Sequence, residues 1–160
     1  MAKQLGRALL VKIYDGTTDH DNLCGLNSKS LTINNTSIDV TTPDCTTPGG
    51  ALWTETLNGV KNVSVSGDGF FEDSAAEARM NTVAMAADNS TTFEIVVPDF
   101  GTYSGTFRID SVDFGGETEG GVTYSISLSS SGAVTAWRRC RIYRQRLLYV
   151  CSAQSGDRAL

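Results

Sequence analysis

The chain has 160 residues, 40% of them hydrophobic and 19% charged, with a formal net charge of -5; this suits one domain that buries most of its apolar surface and excludes a collagen-like or low-complexity chain. The charge is divided: 7 Lys or Arg stand against 17 Asp or Glu up to Trp137, and 6 Arg against Asp157 beyond it. An acidic body disfavours nucleic-acid binding through a phosphate-neutralising patch.

No window approaches the ~20 apolar residues of a membrane span, and the Ala8 to Ile13 run is too short for a secretory signal, so neither membrane nor export is expected. In chain order, Ala8 to Tyr14 predicts a first strand with Leu9, Val11 and Ile13 on one face, followed by a polar loop from Asp15 to Asn22 that contains His20. Leu23 to Asn34 and Ser37 to Thr42 predict two hairpin strands, because the Asn34-Asn35 pair between them tolerates left-handed turns. Pro43 to Gly59 breaks regular structure at Pro43, Pro48, Gly49 and Gly50, yet holds the apolar Leu52 and Trp53. Gly59 to Phe71 alternates again and is expected to end in a Gly67-Asp68-Gly69 turn.

Ser74-Ala75-Ala76-Glu77 has the capping-box form, in which the Ser74 hydroxyl accepts from the Glu77 amide and the Glu77 carboxylate from the Ser74 amide. A helix from Ser74 to Asp88 follows, with Ala76, Met80, Val83 and Ala87 as its packing face. Thr92 to Val97, Thr102 to Phe114 and Gly121 to Ser129 complete the strands, turning at Pro98 to Gly101 and at Gly115 to Glu117. At Trp137 the composition changes, with five arginines between Arg138 and Arg146. The division is therefore a β domain at 1–136 and a basic extension of unknown role at 137–160.

Residues for chemistry do not gather. Cys24, Cys45, Cys140 and Cys151 match no metal-binding spacing, the lone His20 lies between two aspartates, and no serine or cysteine sits in a nucleophile-elbow context. Gly67-Asp68-Gly69 and Gly115-Gly116 lack the helix start and lysine of a phosphate loop. No catalytic residue, cofactor or metal is expected, and the acids are read as solvated strand-end residues. Asp39, Glu94, Asp110 and Asp113 fall within predicted strands, where alternate side chains point away from the core.

Leu5 to Ile13, Lys29 to Asn35 with Ile38 to Thr42, Val63 to Phe70 leading to Asp73 to Arg79, Val97 to Gly101, and Gly121 to Leu128 with Ser131 to Val134 resemble, in that order, the major tail protein of long-tailed phages and phage-derived gene transfer agents. The resemblance covers about residues 5–136 and leaves the last segment without a counterpart. It implies a β-sandwich or barrel subunit with one flanking helix, assembled as hexameric rings whose inner strands form one barrel. Stacked rings make a hollow tube, located in the virion tail after assembly in the host cytoplasm, through which DNA passes without specific binding. Tape-measure and tail-terminator proteins are the implied partners besides the chain itself.

On this reading the Pro43 to Gly59 loop, with Pro43, Pro48, Leu52 and Trp53, contacts the next ring, and Asp39, Glu94, Asp110 and Asp113 are candidate lumen acids. The rival is a monomeric β-sandwich binding or adhesion module of a phage or cell surface, for which Trp53, Tyr14 and Tyr103 supply the aromatics.

Overall fold

The computed structural model describes residues 5–138. After a 3-10 turn at Gly6–Ala8 come the strands β1 (Leu10–Tyr14), β2 (His20–Asn22), β3 (Leu26–Asp39) and β4 (Thr56–Phe70), then helix α1 (Ala75–Ala84), then β5 (Ser90–Val97), β6 (Gly101–Gly115), β7 (Thr123–Ser130) and β8 (Thr135–Arg138). All pair antiparallel in one sheet of order β2-β1-β5-β6-β7-β4-β3, with β8 also on β6. The fold is mainly β with one helix, as expected.

The sheet curls about β6, the strand shared by its two halves. Gly101 to Arg108 pair with β5, and Phe107 to Gly115 pair with β7, with a register shift between Ile109 and Ser111. A bulge adds bend and twist where it falls, so β2-β1-β5 and β7-β4-β3 come face to face over one core. That core is the buried side of each alternation: Val11 and Ile13 on β1, Phe93 and Ile95 on β5, Phe107 and Ile109 on β6, Tyr124, Ile126 and Leu128 on β7, and Val63 and Val65 on β4. Phe93 and Phe107 meet edge-on with ring centres 6.0 Å apart.

Helix α1 packs on β1, β2, β5 and β6. Ala76, Met80 and Val83 are buried, whereas Ala87 lies beyond the helix and is exposed, because the helix stops at Ala84. The capping box also takes a different form. Ser74 makes no side-chain bond to a helix amide; its hydroxyl meets the Glu77 carboxylate, which is itself buried at 3% exposure. Positions 76, 77, 80 and 83 share one helix face, so Glu77 is drawn inward beside Tyr124. Burial, and next the Glu77 charge, push the Tyr124 hydroxyl far above its usual range.

Three further expectations are corrected. Asn34-Asn35 makes no turn: β3 passes through it to Asp39, paired with β4 from Leu26↔Gly69 to Asp39↔Thr56, with only a register shift between Asn35 and Ser37. A pair that permits a turn does not demand one, and cross-strand pairing on both sides of the shift wins. Gly67-Asp68-Gly69 is strand, not turn; a Cβ on Gly69 would meet the Gly25 carbonyl oxygen at 1.9 Å, so its glycine serves close backbone approach at the β3 bulge. His20 belongs to β2, opposite Tyr14, with ring centres 5.5 Å apart.

Candidate assembly surfaces

Four strands, β3-β4-β7 and the second half of β6, form a half-sheet that no other described strand pairs with at either edge. On one side, among the described residues, β3 pairs only with β4 and exposes most of its 14 residues. On the other, β5 leaves β6 at Ser90↔Arg108, and Asn89 closes the ladder there by accepting from the Ile109 amide (3.0 Å) and donating its side-chain amide to the Ile109 carbonyl (3.0 Å). Asp110 to Gly115 therefore keep β7 on one edge and no described strand on the other. β8 does not cover that edge, because it continues the line of β7. Ser131 bonds to Thr106 and Thr135 pairs with Ser104, while Gly132, at φ 100°, allows the step between the two strands. Trp137 thus lies within the sheet, opposite Thr102, and the expected boundary after residue 136 cuts β8.

The face of this half-sheet away from the core is covered by small polar side chains. Across β3, β4, β7 and β6 the register sets Ser28, Asp68, Ser125 and Asp113 in one row, Ser30, Ser66, Ser127 and Ser111 in the next, and Thr32, Ser64, Ser129 and Arg108 in the third. Serine or threonine fills every place except Asp68, Asp113 and Arg108. The Arg108 guanidinium is held by Asp110 at 2.6 and 3.0 Å. Partial burial would raise Asp110, but hydrogen bonds from Ser129 and Arg108 and the Arg108 charge outweigh it and keep the carboxyl below its usual range.

Of the other expected lumen acids, Asp113 shares this face, Asp39 ends β3 in a turn with Thr41, and Glu94 lies between Lys12 and Ser104 on the opposite half of the sheet. Asp68 was not expected, since a Gly-Asp-Gly run hides a strand residue inside a turn signal.

β3 and β4 run on beyond β7 as a two-stranded hairpin, because β7 covers β4 only from Ser64 onward. The loop joining them spans residues 40–55, closed by Val40 on Glu55 (2.9 Å) and Glu55 on the Thr41 hydroxyl (3.0 Å). Pro43, Pro48, Leu52 and Trp53 all lie in it and are exposed, Trp53 at 85%. The hairpin stem adds exposed Ile33, Ile38, Leu57 and Val60. At the far end of the same strands, Phe71, Phe114 and Tyr124 stack with ring centres 5.4 to 6.2 Å apart, beside exposed Phe70 and Val122. A monomer has little reason to expose so much apolar area at both ends.

Residues 3–136 match the sequence model of the phage tail tube proteins. The chain belongs to the phage tail tube protein family. Its function is that of a structural tail tube subunit, and its place is the tail of the assembled particle. Among solved structures, the protein is similar to a chain of the virion of a native gene transfer agent particle, at 29% identity and a TM-score of 0.73 over 84% of this chain and 98% of that one. It is equally similar to a chain from the tail of an empty gene transfer agent particle with C6 symmetry, at 29% identity, a TM-score of 0.75 and the same coverage. The SPP1 tail tube shares the fold, at 16% identity and a TM-score of 0.55 over 81% of this chain and 77% of that one. No curated protein sequence matches the chain.

Proposed function

We propose that six copies close into a ring by sheet-edge pairing, and that rings stack through the β3–β4 hairpin into a hollow conduit for DNA. One observation carries this: among the described residues the half-sheet is open at β3 and at β6, and the two edges run in opposite directions. β3, β4, β7 and β6 alternate in direction, so the β6 edge of one copy meets the β3 edge of the next antiparallel, and a cyclic ring of like-oriented copies closes with every edge paired. Free edges that would template aggregation are thereby consumed. The number six is supported by the C6 symmetry of the similar gene transfer agent tail.

Binding between copies is the whole mechanism in this reading, and no catalytic step is assigned. The loop with Pro43, Pro48, Leu52 and Trp53 reaches the neighbouring ring. A tape-measure protein inside the tube and a terminator at its end are the further partners, and DNA passes without being gripped. Gel filtration and negative-stain microscopy of the purified protein are expected to show sixfold rings or tubes. A monomer at high concentration would overturn the ring reading in favour of a monomeric binding module.

A further inference from the structure

We propose that one face of the β3–β4 stem, and not the loop alone, is a docking surface, with Ile38, Leu57 and Val60 of one copy seated against Phe70, Phe114 and Val122 of a second copy in the adjacent ring. This deepens the stacking reading above and rests on it. The stem changes its apolar side partway along. Ile33 pairs with Val63, which is buried, so that pair faces the core. Ile38 stands an odd number of residues further along the same strand and therefore lies on the opposite face, together with its partner Leu57. On β4 the even spacing from Val63 would return Leu57 to the core side in a regular strand. It does not, because Asn35 pairs with Lys61 and Ser37 with Asn58, which leaves Gly59 and Val60 together opposite Thr36. That extra residue is a bulge, and it carries Leu57 across the stem. The Thr36 hydroxyl fastens the bulge by donating to the Val60 carbonyl at 2.9 Å, and a Cβ on Gly59 would collide with the same hydroxyl.

The side change has a cost that a lone subunit does not recover. Ile38, Leu57 and Val60 are all more than half exposed, Val60 at 76%, on a two-stranded stem with no core beneath them. Apolar side chains gathered on one exposed face mark a contact. A neighbour in the same ring pairs along the edge of β3 and leaves this face free, so the occupant comes from another ring. Strand β4 runs from Thr56 in the stem to Phe70 at the far end. Like-oriented rings stacked in one direction bring those two ends together, a head-to-tail contact that repeats along the tube. Phe70 and Phe114 are each more than half exposed at that end, with Val122 beside them at 47%. Apolar surface thus meets apolar surface at every junction.

The test uses the full-length chain with benzoylphenylalanine in place of Leu57, assembled into tubes from a mixture of isotopically heavy and light copies. Irradiation is expected to give heavy-to-light cross-links from residue 57 to peptides that contain Phe70, Phe114 or Val122. If the bulky residue itself blocks tube growth, Val60 carries it instead. Cross-links between copies that land on other segments would overturn the occupant, and cross-links confined to one chain would overturn the docking surface, while the ring reading stands in both cases. In the second arm, Leu57→Asp is expected to leave rings but abolish tubes, whereas Asn58→Asp, next in sequence but on the other side of the stem, should leave tube length unchanged. Equal behaviour of the two variants would overturn the side change. Failure of the unsubstituted chain to form rings would sink the ring reading and this inference with it.

Discussion

Val83 and Ala87 stand four residues apart, and helical periodicity alone places both on one packing face. The structure separates them: Val83 is 6% exposed in the core under α1, and Ala87 lies exposed beyond the helix end. Val83→Asp gives up the burial of a valine side chain, about 1.5–2 kcal/mol, and leaves a carboxylate without a partner in the core, about 1–3 kcal/mol more. The sum, about 2.5–5 kcal/mol, is a large share of the roughly 5–15 kcal/mol that holds a domain folded. At about 3 °C per kcal/mol for a domain of this size, the melting temperature should fall by roughly 7–15 °C. Ala87→Asp should move it by no more than about 2 °C, since a surface change costs within about 0.5 kcal/mol. Thermal melts followed by circular dichroism, at concentrations too low for tube formation, make the comparison. Equal losses from the two substitutions, or an unchanged melt for Val83→Asp, would refute the placement of the helix.

Leu52→Asp combined with Trp53→Ser should leave the subunit folded and ring-forming but stop tube growth; tubes of normal length in electron micrographs would remove the loop from the stacking contact. Truncation after Arg138 keeps every described strand and should preserve fold and assembly, whereas truncation after Val134 removes β8 from β6 and should lower the melting temperature, so an insoluble 1–138 protein would make the basic extension structural. Asp39 and Asp44 are held below the ordinary 3.8 of an aspartate, Asp39 by the Thr41 hydroxyl and amide and Asp44 chiefly by the Thr46 amide. A carboxyl depressed in the folded state adds stability that is present above its unfolded value and lost as pH falls through the folded one. The Thr41 and Thr46 amide signals should therefore hold through mildly acid pH and shift only below 3.8; shifts centred above that value would count against these turns.

Much of the fold was legible because one face of each strand is dry. The alternation of Tyr124, Ile126 and Leu128 with serines is buried as the period demands, and the small apolar positions of α1 mark its inner side. Local signals failed where a tertiary contact outbid them. Asn34-Asn35 permits a turn and receives a strand, because β4 offers pairing along the whole of β3. Glu77 carries a capping signature and is taken into the core, since its position falls between Ala76 and Met80 on the packed face. The glycines around Asp68 look like turn residues and serve a bulge where two backbones meet.

The surfaces for assembly were less legible because they belong to relationships between strands. No residue near Asn89 announces that β6 will lose its partner there, yet the two hydrogen bonds of Asn89 to Ile109 end the β5 ladder and leave the next segment bare. Nor does the sequence show that β3, far away in the chain, will form the other open edge. Only the register reveals that the two edges have opposite polarity, and with an even number of strands between them that polarity is what allows identical copies to close antiparallel. The same register decides which acids can share a face: Asp68 and Asp113 meet across Ser125, while Glu94, an equally plausible strand acid in one dimension, is carried to the other half of the sheet when β6 bends.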